Sequence, residues 1–193
     1  MKRASYSERA GGAERGQGAP ASDAVGVSEG RSPSDQGDTL TPAAVRRDAR
    51  IAVSTRRPTE FIDLTTRLQQ LVAASGVELG IVNVQTLHTT TAVVVNEHEP
   101  LLLADFERQL EQLAPDHGAY RHDDTSVRTV NLTDGERANG HAHCRALFLP
   151  SSASLNVVNG RLQLGRWQRV FLVELDGPRQ REVSIVVLGN ARL

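Results

Sequence analysis

The chain has 193 residues, 39% of them hydrophobic, and carries 22 basic and 23 acidic side chains for a formal charge of -1. That length suits one domain with a substantial core, and the balanced, mixed charge offers no electrostatic footprint for nucleic acid or an anionic membrane. A single cysteine rules out an internal disulfide, no apolar run approaches the roughly 18 residues of a membrane span, and Lys2 and Arg3 precede no apolar signal region, so a cytoplasmic protein is expected.

Residues 1–50 hold almost no large apolar side chains. Such a segment cannot bury enough surface to offset its ordering entropy, so it is expected to be a disordered extension preceding one domain over 51–193. Within that domain Ile51 to Arg57 reads as a short strand. Phe61 to Leu64 then leads into Thr65 and Thr66, candidate N-cap residues for an amphipathic helix through Leu68, Leu71 and Val72 that stops at Gly76. Val77 to Leu87 is a strand, with Gly80 marking a bulge or a close approach. The β-branched run from His88 to Glu97 reads as the next. If that strand is straight, His88 and Asn96 lie roughly 26 Å apart, so it must break or the two serve different places. Pro100 opens a helix to about Leu113 with Leu102, Phe106, Leu110 and Leu113 as its buried stripe and Asp105 off it.

Residues 114–135 read as a long polar loop, of the kind that more often serves function than connection. Beyond it a helix begins near Asn139. Helical spacing puts Glu136, Asn139 and His143 on one face and turns His141 about 160° away from His143. Asn159-Gly160 is a hairpin signal between two strands, and Trp167 to Leu175 with Glu182 to Leu188 reads as a second pair. The fold class is therefore α+β, with a large antiparallel sheet or sandwich and helices packed on it.

His88, His122 and His143 include the residue types that hold a catalytic zinc with an open fourth position, and Asp124, Glu136 or Asn139 are available to orient the rings. The same three also read as a strand-end hydrogen bonder, an exposed loop residue and a half-buried helix residue. Cys144 reads as a small buried hydrophobe, and Trp167-Gln168 as either a pocket lining or a core tryptophan beside a sheet.

His88-Thr-Thr-Thr-Ala, Asn96-Glu97, Asp105-Phe-Glu-Arg108, Tyr120-x-His122, Asn139-Gly-His-Ala-His143 and Gly160-Arg-Leu-Gln-Leu-Gly-Arg-Trp-Gln168 occur in this order in the chain. In this the sequence resembles the YjbQ family, the small UPF0047 proteins, also called secondary thiamine-phosphate synthase enzymes, over about Ile51 to Gly189. The resemblance implies an antiparallel β-sandwich-like α+β domain assembling as a homotrimer. It implies a divalent metal, zinc being expected, on His88, His122 and His143. Asn96, Asn139, Trp167 and Gln168 are then expected to meet a small, phosphorylated substrate, and Glu97 or Asp105 to act as general base. The named activity joins a pyrimidine diphosphate to a thiazole phosphate and expels pyrophosphate, which calls for a metal or arginines such as Arg145 or Arg166 at the phosphates. The expectation is a metal-dependent enzyme with weak thiamine-phosphate synthase activity, and the alternative is a trimeric binding protein without turnover.

Overall fold

Two antiparallel sheets share one apolar core in the computed structural model, which describes residues 44–191. The larger sheet has the order β1-β8-β3-β5-β6, from β1 (Ala44–Ser54), β3 (Val77–Thr86), β5 (Ser152–Val158), β6 (Arg161–Leu162) and β8 (Gln180–Ala191). The smaller is β2-β7-β4, from β2 (Glu60–Asp63), β4 (Thr91–Glu97) and β7 (Gln168–Glu174). Inward side chains of the larger sheet, among them Val53, Val82, Val84 and Ile185, meet Val93, Val170 and Leu172 of the smaller. Helix α1 (Thr65–Ser75) adds Leu68 and Val72 to that core, while α2 (Pro100–Leu113) and α3 (Gly140–Leu147) cover the other face of the smaller sheet around Phe171 and Val173.

Strand β7 explains why the last two long strands do not pair with each other, as their order in the chain predicts. Val170 to Val173 are all fully buried, two facing the core between the sheets and two facing the helices, and a run apolar at every position needs cover on both faces. Strand β8 alternates, with Arg181, Val183, Ile185 and Val187 inward, and needs only one. Residues 175–179 therefore carry the chain from the centre of the smaller sheet to an interior strand of the larger. Gly177 sits where a Cβ would strike the Arg57 carbonyl.

Strand β1 begins at Ala44, seven residues before the boundary expected from composition, and pairs with β8 along its whole length from Ala44–Asn190 to Ser54–Gln180. Its outward side chains, including Arg46, Asp48 and Arg50, are polar and mask the strand in composition, while Val45 and Ala49 pack against the core. The rest of the expected disordered extension, residues 1–43, lies outside the described residues. Helix α1 starts at Thr65 without a threonine cap: the Asp63 carboxylate accepts the Thr65 N–H at 2.8 Å, and Thr65 Oγ1 accepts from Val170 N–H. Gly76 closes the helix at φ 76°, as expected of a left-handed terminator. A Cβ on Gly80 would meet the backbone of Leu188 and Gly189, so the close approach read from this glycine is real.

In α2, Pro100 stands in the first turn and the Glu99 carboxylate caps the N–H groups of Leu101 and Leu102. Leu110 and Phe106 face the protein but Leu113 does not. The helix ends there, and Ala114 enters the core in its place. Asn159 and Gly160 adopt φ 52° and 68°, the positive pair a two-residue hairpin turn requires. Among the described residues no helix is long and apolar enough to cross a membrane.

Candidate functional site

The end of β7 builds one wall of the site. Glu174 is fully buried, and its Oε1 accepts from the N–H groups of Leu175 at 2.9 Å and Asp176 at 2.8 Å. Both its oxygens take the Arg181 guanidinium at 2.6 Å, Oε2 also accepts from Thr55 Oγ1, and Arg181 reaches on to Thr90 Oγ1. One carboxylate thus locks the turn that presents Asp176. Asp176 in turn accepts from Asn139 Nδ2 at 3.1 Å and pairs with Arg179 at 2.8 Å.

The opposite wall comes from the long loop. His122 lies in a 3-10 turn, Arg121–Asp123, and the Asp123 carboxylate accepts the N–H groups of Asn139 and Gly140 at 2.9 Å each. A carboxylate is favoured there because the first turn of a helix leaves N–H groups unpaired. A Cβ on Gly140 would collide with the Tyr120 side chain, so glycine permits the approach. Drawn together in this way, the rings of His122 and His143 stand 4.6 Å apart at 62°. Between the walls is a cavity of about 710 Å³, lined by both histidines, Asn139, Glu136, Asp176 and four arginines.

Arg128 binds the loop to itself, donating to the carbonyls of His122, Val130 and Asn131 and to Glu136 Oε1. Its hydrogen bond holds the Glu136 carboxyl below the usual carboxylate range, against a smaller upward push from desolvation. Glu136 also reaches back toward the Thr133 N–H in the capping-box manner, although no helix follows directly. Burial lowers the His143 pKa, and the neighbouring His122 and Arg128 lower it further against Asp176 and Glu136. The protonated form is disfavoured in the fold, so His143 contributes stability that is lost as pH falls from the ordinary histidine range through the lower, folded value. An NMR titration should place the His143 midpoint below that of a free histidine, and His122→Asn should move it upward by removing the second-largest cause.

Two buried side-chain atoms without a hydrogen-bond partner stand out among the described residues, His122 Nε2 and Asn139 Oδ1, and both residues line this cavity. An imidazole nitrogen left free in this way is suited to a metal ion or a proton. As metal ligands, His122 and His143 make two of the three expected. Glu136 Oε1 is 3.9 Å from His122 Nε2, and no three His, Cys, Asp or Glu side chains are arranged to hold an ion among the described residues.

His88 does not join them. The chain turns at His88–Thr90 before β4 begins at Thr91, which resolves the strand-length problem by breaking the strand, and His88 Nε2 accepts the Glu182 N–H at 2.9 Å. Asn96 and Glu97 stand at the far end of β4, roughly 17–20 Å along the strand from Thr91 at ordinary strand rise. Asn96 accepts the Glu97 N–H and lines a separate apolar crevice of about 260 Å³ with Phe61 and Phe106. Gln168 lies beside Glu97 in the register and accepts the Gly165 N–H. Trp167 is exposed beneath the Arg166 guanidinium, in neither a core nor the cavity. Asp105 is exposed and paired with Arg108 one turn on. Within one chain, then, the expected bases and most of the expected substrate contacts lie apart from the histidine pair.

Arg145 is buried against Glu111, Thr59 and the Ala114 carbonyl, and is not a phosphate ligand here. Cys144 is exposed rather than buried. His141 is buried and bridges Asp116 at 3.0 Å, in keeping with its direction away from His143. Sequence reasoning missed Asp176, Arg137, Arg179 and Arg181. The signal for Asp176 and Arg179 was present in the Glu174-Leu-Asp-Gly-Pro-Arg179 turn, which carries more charge than a plain connection needs.

Fold and site together define an α+β protein of two antiparallel sheets with a polar cavity of histidines and arginines at one end of the smaller sheet. The family described as "UPF0047 protein YjbQ-like" matches residues 49–190, and the chain belongs to that family. A UPF0047 protein of Methanothermobacter thermautotrophicus is 37% identical over 72% of this chain and 90% of its own. One from Archaeoglobus fulgidus is 36% identical over 72% of this chain and 98% of its own. A YbjQ-like protein of unknown function from Sulfolobus solfataricus has a solved structure that covers 77% of this chain and all of its own, at 36% identity and a TM-score of 0.67.

Proposed function

We propose that the cavity binds a divalent cation, with zinc expected, together with a small phosphorylated molecule, and that the protein is an enzyme acting on that molecule. The observation that carries the reading is the His122–His143 pair, two imidazoles in ring contact with one buried nitrogen left unpartnered. His122 and His143 would hold the cation with Glu136 beside them. A bound cation supplies Lewis acidity at a phosphoryl oxygen or acidifies a bound water. Asn139 and Asp176, fixed to each other, orient what enters the cavity, and the arginines offset anionic charge. Weak thiamine-phosphate synthase activity is the finer form of this reading, since both of its substrates carry phosphoryl groups.

A homotrimer is part of the proposal. Glu97, Asp105, Asn96, Trp167 and Gln168 of one chain serve catalysis only if assembly brings them to the cavity of another. Light scattering on the eluting protein tests the trimer. Elemental analysis tests the cation: about one ion per chain is expected in the wild type and none in His143→Ala. An ion-free wild type that takes up no zinc on titration would overturn it.

One observation favours a second reading, a binding protein without turnover: the carboxylates expected as bases, Glu97 and Asp105, do not line the cavity of their own chain. Ligand binding that survives their substitution, with no reaction of pyrimidine and thiazole phosphates above the His143→Ala background, would put that reading first.

A further inference from the structure

The four arginines of the cavity are not equivalent. Arg128 and Arg181 have side chains only 14% and 6% exposed, the first held by loop carbonyls and Glu136, the second by Glu174 and Thr90. Each is neutralised by its own carboxylate. Arg137 and Arg179 are 50% and 36% exposed. Both donate to the Asp176 carbonyl, at 3.0 and 3.1 Å, and both lie beside the Asp176 carboxylate, Arg179 at 2.8 Å and Arg137 at 3.7 Å. Two guanidiniums thus converge on one residue and share a single negative charge. Their remaining N–H groups have no partner among the described residues. Asp134, on the loop edge, is the one carboxylate lining the cavity that no arginine pairs among the described residues.

From this, and resting on the reading of the cavity as a site for a phosphorylated molecule, we propose that Arg137 and Arg179, held by Asp176, form a two-armed clamp for a terminal phosphoryl group, a phosphate monoester or diphosphate. A carboxylate offers two oxygens and saturates one guanidinium fork. A terminal phosphoryl group offers three oxygens and close to two negative charges near neutral pH, which matches two forks and their shared excess of positive charge. Arg128 and Arg181 position the walls and leave the clamp to the other pair. Neither arginine contacts His122 or His143 through a hydrogen bond, so the clamp needs no cation on the histidines to bind phosphate.

The test is calorimetric titration of the full chain with inorganic phosphate, pyrophosphate and acetate, before and after treatment with EDTA, on the wild type, Arg137→Gln and Arg179→Gln. Phosphate and pyrophosphate should bind the EDTA-treated wild type more tightly than acetate, and either variant should weaken them about 10- to 100-fold, the range for losing a charge-assisted hydrogen bond. Arg179→Lys, which keeps the charge and loses the fork, should fall between. Binding that vanishes with EDTA, or is unchanged in both variants, would overturn the clamp. Should a variant fail to fold, phenylglyoxal modification of the wild type decides: phosphate should slow reaction at Arg137 and Arg179 but not at exposed Arg46 or Arg161, and equal rates would refute it. Ion content separates the two proposals, because a wild type that holds no metal but retains phosphate binding removes the cation and keeps the clamp.

Discussion

Replacing Glu174 by alanine is expected to lower stability by about 3–5 kcal/mol, because it strands the buried charge of Arg181. The change removes the acceptor for two backbone N–H groups and the Thr55 hydroxyl as well. For a chain of this size such a loss corresponds to a fall in Tm of about 6–20 °C. The turn at Asp176 loses its anchor, so phosphate binding at Arg137 and Arg179 should weaken even where the variant remains folded. Urea denaturation and calorimetric phosphate titration measure the two effects, and a variant with wild-type values in both would show that the pair is dispensable. Acid should reproduce part of the effect. Burial pushes the Glu174 carboxyl up, but the hydrogen bonds from Arg181 and the Asp176 N–H, the Arg181 charge and the Thr55 hydroxyl outweigh it, and the net shift is downward. A depressed carboxylate stabilises the fold fully above its unfolded value of 4.5. That contribution is lost as pH falls from there through the lower, folded value.

Phe171→Ala should cost about 3–5 kcal/mol, the range for deleting a buried ring and leaving a cavity. Phe171 is fully buried on the helix side of β7, edge-on to Phe61 at 6.2 Å and to His98 at 5.4 Å. It holds α2 and α3 onto the smaller sheet, so its loss should also loosen the helix that carries His143. Phe148, just past the end of α3 and 66% exposed, is the control: Phe148→Ala should change the urea midpoint little. Equal destabilisation by the two substitutions would mean that the helices are not held through Phe171.

Both expectations turn on β7, and β7 shows where reading a sequence succeeds and where it stops. Its apolar run identified a strand. The same run was paired with β8 by proximity in the chain, because nothing local states that a strand buried on both faces has to sit at the centre of a sheet of its own. Among the histidines, direction was legible and partnership was not. Helical spacing separated His143 from His141 correctly. The family resemblance placed His88 with His122 and His143, but the turn at His88–Thr90 hands its Nε2 to the Glu182 N–H.

By itself the sequence determined what depends on a few neighbouring residues. Pro100 opens α2 because its missing N–H costs nothing in a first turn. Asn159-Gly160 turns a hairpin because both residues tolerate positive φ. Asn139 and His143 share a face because they are one helical turn apart. Only the tertiary structure decided which sheet each strand joined, that His122 meets His143 while Glu97 and Asp105 stay away, and which two of four arginines stay exposed to the cavity. Those outcomes depend on contacts between residues tens of positions apart, where burial and the pairing of charges select among partners that local patterns leave equal.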